Sequence, residues 1–290
     1  MKSLQTCITL IVFLTGCRYT SGLDHEVPFD SVTQSLLNKD DVSTGVVREM
    51  AMIAGGGYIP LYGRDSVEVT VKPFLMDVYP VTNEDYLPFV SKNTRWRKSG
   101  VKGIFADDNY LDHWLSDTFP GKEIHSQSPV TNVSWHAARA FCECHGKRLP
   151  TVDEWEFAAM ADQNSPDARF GKSYNQSILA WYEKPQTFNN LVGGTFKNYY
   201  GVYDLHGLVW EWTSDFNSIL LTGESRNDGN TDKDMFCGSG SLNASDLMNY
   251  AAFIRYAFRS SIKADYAIRN LGFRCVKDIQ AENTPGTAVR

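Results

Sequence analysis

The chain has 290 residues, 42% of them hydrophobic, 13% aromatic and 21% charged. That balance excludes a disordered polymer and is enough apolar side chain for one sizeable core. A net charge of −6 argues against a nucleic-acid footprint, and no apolar run of about 18 residues follows residue 20 to span a membrane.

The first element in chain order is an export signal: Lys2, then a short apolar run over residues 8–14. It ends in Leu14-Thr15-Gly16-Cys17, which resembles a bacterial lipobox. The resemblance implies cleavage before Cys17 and lipidation of its sulfur, with a plain secretory signal cut nearby as the alternative. Arg18, standing where sorting signals would place Asp, implies the outer membrane, facing the periplasm. The expected organisation is a signal over 1–16, a lipidated N-terminus and flexible tether over 17–45, a domain over 46–278 and a disordered tail over 279–290.

Within the domain, Met50-Ala-Met-Ile-Ala-Gly-Gly-Gly-Tyr58 reads as a strand entering a glycine turn, and Val67-Glu-Val-Thr-Val71 as a half-buried strand. Thr82 or Asn83 is placed to cap a helix through Tyr86, Phe89 and Val90. Residues 91–130 mix charge with Trp96, Phe105, Tyr110 and Trp114, either as a loop packed on the core or as the lining of a groove. Ser134 then caps a helix with Ala137, Ala138, Phe141 and Cys142 on one face, and Gly146 stops it. Thr151 and Glu154 form a capping box for the next helix, whose apolar face holds Trp155, Ala158 and Ala159. Acidic residues alternate over 227–234 without the Gly and terminal Glu of an EF-hand, so a polar loop is expected there.

The words around these elements are more specific than the elements. Asn132-Val-Ser-Trp, Ala-Phe-Cys142, Gly146-Lys-Arg-Leu-Pro-Thr151 and Glu154-Trp-Glu-Phe-Ala-Ala159 follow one another within 28 residues. Gly201-Val-Tyr-Asp-Leu-His-Gly-Leu-Val-Trp-Glu-Trp212, Gly238-Ser-Gly-Ser241, Arg255-Tyr-Ala-Phe-Arg259 and Asn270-Leu-Gly-Phe-Arg-Cys275 come after. Together they resemble the formylglycine-generating enzymes, or sulfatase-modifying factors. The resemblance spans residues 48–277 and implies an irregular α+β fold of that type, related to C-type lectins and poor in regular secondary structure.

Further expectations follow from the resemblance. It implies a structural calcium site with Asp204 and Glu211 as side-chain ligands and the carbonyls of His206 and Leu208 completing the cage, oxygen donors suiting a hard cation. Leu208 departs from the usual Asn, at a position that contributes its backbone. It also implies a Cys142–Cys275 disulfide, while Cys144 and Cys237 are left as a second disulfide or as separate thiols. Trp210 and Ser241 match positions lining the family's active-site groove, and Arg255 and Arg259 are expected to bond carbonyls under the calcium loop.

One departure is decisive for chemistry. Enzymes of this family hold Cu(I) with two cysteine thiolates shortly after the Gly-Gly-Ser word, and soft Cu(I) selects thiolate. The segment 242–253 contains no cysteine. Copper is therefore not expected, and neither is copper-dependent oxidation of a sulfatase cysteine. The histidines at 25, 113, 125, 136, 145 and 206 show no closely paired metal spacing either.

The expected function is a lipid-anchored, calcium-stabilised accessory or maturation factor in the bacterial envelope, with a periplasmic protein or peptide partner. Relatives of this kind accompany periplasmic enzymes such as copper nitrite reductase. Two alternatives stand beside it: an oxidoreductase using a non-cysteine or relocated-cysteine site near Cys237, and a lectin-like module using Trp96 and Trp114.

Overall fold

The structure, a computed structural model, describes residues 48–61, 67–217 and 247–279. The chain divides into units of residues 1–46 and 47–290, and all described residues belong to the second. Cys17, the signal, the tether, the tail from residue 280, the 227–234 loop, Cys237 and Ser241 lie outside the described residues.

Strands are few and short. β1 (Met50–Ile53), β4 (Phe74–Asp77) and β7 (Val276–Asp278) form an antiparallel sheet in the order β1-β4-β7. Its register pairs Ile53 with Phe74 and Met76 with Val276. β2 (Gly56–Tyr58) and β3 (Val69–Val71) form a separate antiparallel pair, and β5 (Trp210–Glu211) runs parallel to β6 (Leu271–Gly272). The strand expected to enter a glycine turn over 50–58 is β1, and the turn falls at Gly55, whose φ of +69° suits a residue without a Cβ; β2 follows it.

Each of the first three helices among the described residues starts at its expected cap. In α1 (Asn83–Lys92), Thr82 accepts from the Asp85 N–H while the Asp85 carboxylate accepts from the Thr82 N–H. In α2 (Trp135–Cys144), the Ser134 hydroxyl accepts from the Ala137 N–H at 3.2 Å. In α3 (Val152–Ala159), Thr151 and Glu154 close a reciprocal box. Such caps satisfy N–H groups that no helical carbonyl reaches. Two more helices, α4 (Lys172–Tyr182) and α5 (Leu247–Ser261), pack against each other.

Two apolar clusters make the core. The larger joins α1, α2 and the 91–130 segment; the smaller joins the β1-β4-β7 sheet to α3. Trp96, Tyr110 and Trp114 are buried in the larger cluster at 5%, 2% and 1% exposure, so they are packing residues and line no open groove. The Tyr110 hydroxyl donates to the Trp96 carbonyl at 2.9 Å, which leaves the Tyr86 hydroxyl to donate to Tyr110 at 2.8 Å. The Trp114 indole donates to Asn83 Oδ1 at 3.3 Å, tying the segment to the start of α1.

A disulfide joins Cys142 on α2 to Cys275 just before β7, with Cα atoms 5.6 Å apart across a sequence separation of 133. Both cysteines are fully buried. Cys144 is disulfide-bonded as well.

Candidate functional site

The 204–211 loop leads into β5 and lies against α3, α4 and α5. Asp204 sits at φ +62°, the left-handed region that Asp tolerates because its short side chain bonds nearby backbone. Its carboxylate accepts from the N–H groups of Gly193 and Thr195, and its own N–H donates to the Thr195 hydroxyl at 3.0 Å. Asp204 therefore fastens the loop to the 193–195 turn.

Glu211 has a different set of partners. Both of its oxygens accept from Arg274, over distances of 2.8 to 3.0 Å, and Oε2 also accepts from the Trp155 indole at 2.8 Å. Arg274 in turn donates to the carbonyls of Asp77, Val78 and Tyr203. The side chains of Glu211 and Arg274 are wholly buried. The carbonyl of Leu208 accepts from the Thr187 hydroxyl at 2.5 Å.

The donors expected to hold calcium are thus distributed over separate networks. Glu211 already faces a guanidinium, which a cation would have to displace. Among the described residues no group of three or more His, Cys, Asp or Glu is placed to hold a metal. A calcium ion held there would have to replace these partners.

The role expected of Arg255 and Arg259 is corrected on the same grounds. Arg274, not those two, bonds carbonyls beneath the loop. Arg255 and Arg259 both converge on Glu156: Arg255 through Nε and Nη2, at 2.9 and 2.7 Å to the nearer oxygens, and Arg259 through Nη1 at 2.6 Å. Burial raises the pKa of Glu156, but the two guanidiniums outweigh it and hold the carboxyl at about 2. The Trp155 indole links the two ion clusters, donating to Glu211 while Arg259 lies 4.9 Å over its ring.

Above these clusters opens a cleft of about 80 Å³. Trp210 forms one wall, stacked between Tyr182 at 5.0 Å and Phe258 at 4.6 Å, ring centroid to centroid. Trp155 and Trp181 line it too, with Lys184, Arg255 and Arg259 supplying charge. His206 lies beside the cleft and is 4% exposed. Burial and the neighbouring Arg255 push its pKa down to about 3, so the imidazole is neutral at physiological pH. Of the residues expected in a groove, Trp210 lines this cleft, while Ser241 lies outside the described residues.

The sequence reading missed Glu156, Arg274, Trp181, Tyr182 and the His206 side chain. Glu156 had a legible signal, a carboxylate set between Trp155 and Phe157 on a helix that buries both neighbours. Arg274 had a weaker one, a charge among the apolar residues of Asn270-Leu-Gly-Phe-Arg-Cys275.

The family model described as "Sulfatase-modifying factor enzyme 1-like domain" matches residues 34–279. The chain is 31% identical over 284 residues to the Bos taurus protein named "Inactive C-alpha-formylglycine-generating enzyme 2", covering 81% of this chain and 90% of that one. It is 29% identical over 278 residues to the "Formylglycine-generating enzyme" of Streptomyces coelicolor, covering 81% and 87%. Among solved structures, that titled "Crystal Structure of CarF" matches with 17% identity and a TM-score of 0.39, over 80% of this chain and 99% of that one.

Proposed function

Because the chain belongs to the sulfatase-modifying factor family, we propose that it is a member that has given up copper-dependent oxidation and works by binding, as an accessory or maturation factor. The observation carrying this reading is the absence of any cysteine over residues 242–253, where the family's copper thiolates are expected. Thiolate donors have no ordinary substitute for Cu(I). The similarity to a relative named inactive supports the reading, and so does Cys144 being held in a disulfide rather than as a thiol.

The cleft beside Trp210 is the binding site in this proposal. It combines aromatic walls with a few polar groups, the usual composition of a ligand site. The lipidated N-terminus at Cys17 would hold the domain at the outer membrane, facing the periplasm, where its partner would be a protein or peptide. The alternative of an oxidoreductase with a relocated thiolate near Cys237 is separated from this by one experiment. Purified protein is loaded with Cu(I), dialysed and incubated in air with a sulfatase-type cysteine peptide. The expected result is no retained copper and no aldehyde; stoichiometric copper with aldehyde formation would overturn the proposal. Calcium measured in the same sample tests the Asp204–Glu211 expectation, since one equivalent would require Glu211 to exchange Arg274 for the ion.

A further inference from the structure

A second opening, a groove of about 220 Å³, runs along α4. Ser173, Ser177 and Trp181 line it at four-residue spacing, which is one face of the helix. Phe196 completes an apolar wall, its ring stacked on Trp181 at 5.5 Å. The turn after α3 brings Asp162, Gln163 and Asn164 to the same groove. Neither Trp96 nor Trp114 belongs to it; both are buried.

The polar groups of the lining are held in place but not used up. Asp162 Oδ1 accepts from the N–H groups of Asn164 at 2.8 Å and Ser165 at 2.7 Å, which fixes the turn. Among the described residues nothing is bonded to Asp162 Oδ2, to the side-chain amides of Gln163 and Asn164, or to the Ser173 hydroxyl. Ser177 differs, since its hydroxyl donates to the Ser173 carbonyl at 2.9 Å. Gln163, Asn164 and Ser173 are exposed, so a guest from solvent reaches them.

Charge does not select the guest. Asp162 carries the charge among the lining residues, but Lys172 and Lys197 are next in sequence to Ser173 and Phe196. Hydrogen-bonding capacity is the better guide. Each amide both donates and accepts, as does the Ser173 hydroxyl, while the carboxylate only accepts. An ammonium only donates, so it would leave the amide N–H groups facing a cation. It would also find a face of Trp181 and of Phe196 covered by their stacking, and the faces are what attract a cation. A row of hydroxyls suits the set, each being donor and acceptor at once, and a C–H surface suits the rings. A pyranose combines the two. About 220 Å³ falls short of the roughly 300 Å³ at which sites for drug-sized ligands begin, so one ring is the unit recognised.

We propose that the groove binds a neutral sugar ring. The sugar hydroxyls bond Asp162 Oδ2, the two amides and the Ser173 hydroxyl, and the C–H face lies against Trp181 and Phe196. The groove shares the Trp181 wall with the cleft beside Trp210. It stands whether or not that cleft binds a partner.

The probes are the methyl glycosides of glucose, galactose, mannose and N-acetylglucosamine, whose methyl group stands where a glycan chain would continue. Tetramethylammonium is the cationic probe. Each is titrated into the intact chain while the side-chain amide NMR signals of Gln163 and Asn164 are followed. Trp181 borders the cleft as well, so its indole signal alone decides nothing. At least one glycoside should shift both amide signals to saturation. For that glycoside, Gln163→Ala and Asn164→Ala should each weaken binding about fivefold, the worth of one neutral hydrogen bond. Neither should change the urea midpoint, because both side chains are exposed. Failure of every glycoside to move the amides would overturn the proposal. So would binding that both alanine variants retain at full strength, which would place the sugar elsewhere. Tetramethylammonium moving the amides at lower concentration than any glycoside would overturn the chemical class and make the groove a cation site.

Discussion

Glu156 is enclosed by protein and faced by two guanidiniums, so its charge has no water to fall back on. Removing one member of such a cluster costs more than the cluster contributes, because the charges left behind remain buried. Glu156→Gln should therefore destabilise the domain by about 3–5 kcal/mol, read as a lower denaturation midpoint in urea at neutral pH. The pH dependence has a fixed sign. The folded pKa of about 2 lies below the usual carboxylate value of 4.5, so this contribution is fully present above pH 4.5 and is lost as pH falls toward 2. Urea midpoints between pH 5 and 2.5 should fall for the native chain and fall less for Glu156→Gln. A second test at this scale concerns Trp96, which a lectin-like reading would make a contact residue. It is 5% exposed, so Trp96→Ala should cost about 3–5 kcal/mol of stability through the cavity it leaves. A folded variant of native stability that had lost only glycan or peptide binding would contradict the burial.

At the scale of elements, what the sequence made legible and what it did not have different physical causes. The caps of α1, α2 and α3 were legible because capping is local: Thr82, Ser134 and Thr151 satisfy N–H groups three residues away. The Glu211–Arg274 pair was not, since its members are 63 residues apart and meet only after the 204–211 loop has docked. α4 was equally hard to read, as it has no side-chain cap at Gly171 and carries polar residues through its first two turns. In the loop, the reason Gly207 must be glycine is tertiary. It sits at φ +95°, and a Cβ there would come within 2.7 Å of the Trp181 ring. Gly207→Ala should cost about 1–3 kcal/mol from overpacking and displace Trp181 from its stack on Phe196 at 5.5 Å. Near-ultraviolet circular dichroism would register the displaced indole; an unchanged spectrum and midpoint would mean that the loop yields without strain.

Over the whole molecule, short strands and loops must be held by something other than long ladders of backbone hydrogen bonds. The three-stranded sheet joins the beginning of the domain to its end, through β1, β4 and β7, and the buried Cys142–Cys275 bond closes a separation of 133 residues beside it. Closing so long a loop limits the unfolded chain strongly in the entropic account of disulfide stabilisation. Replacing both cysteines with serine should therefore lower stability by about 2–5 kcal/mol, with hydroxyls in a site built for sulfur adding to the loss. Reductant separates this bond from the one at Cys144, which is also oxidised. The native chain should lose stability on reduction by more than the double-serine variant does. The loss remaining in that variant then measures the Cys144 bond alone. If reduction lowered both proteins equally, the Cys142–Cys275 bond would contribute nothing, and the packing around α2 and β7 would have to hold the two ends of the domain together unaided.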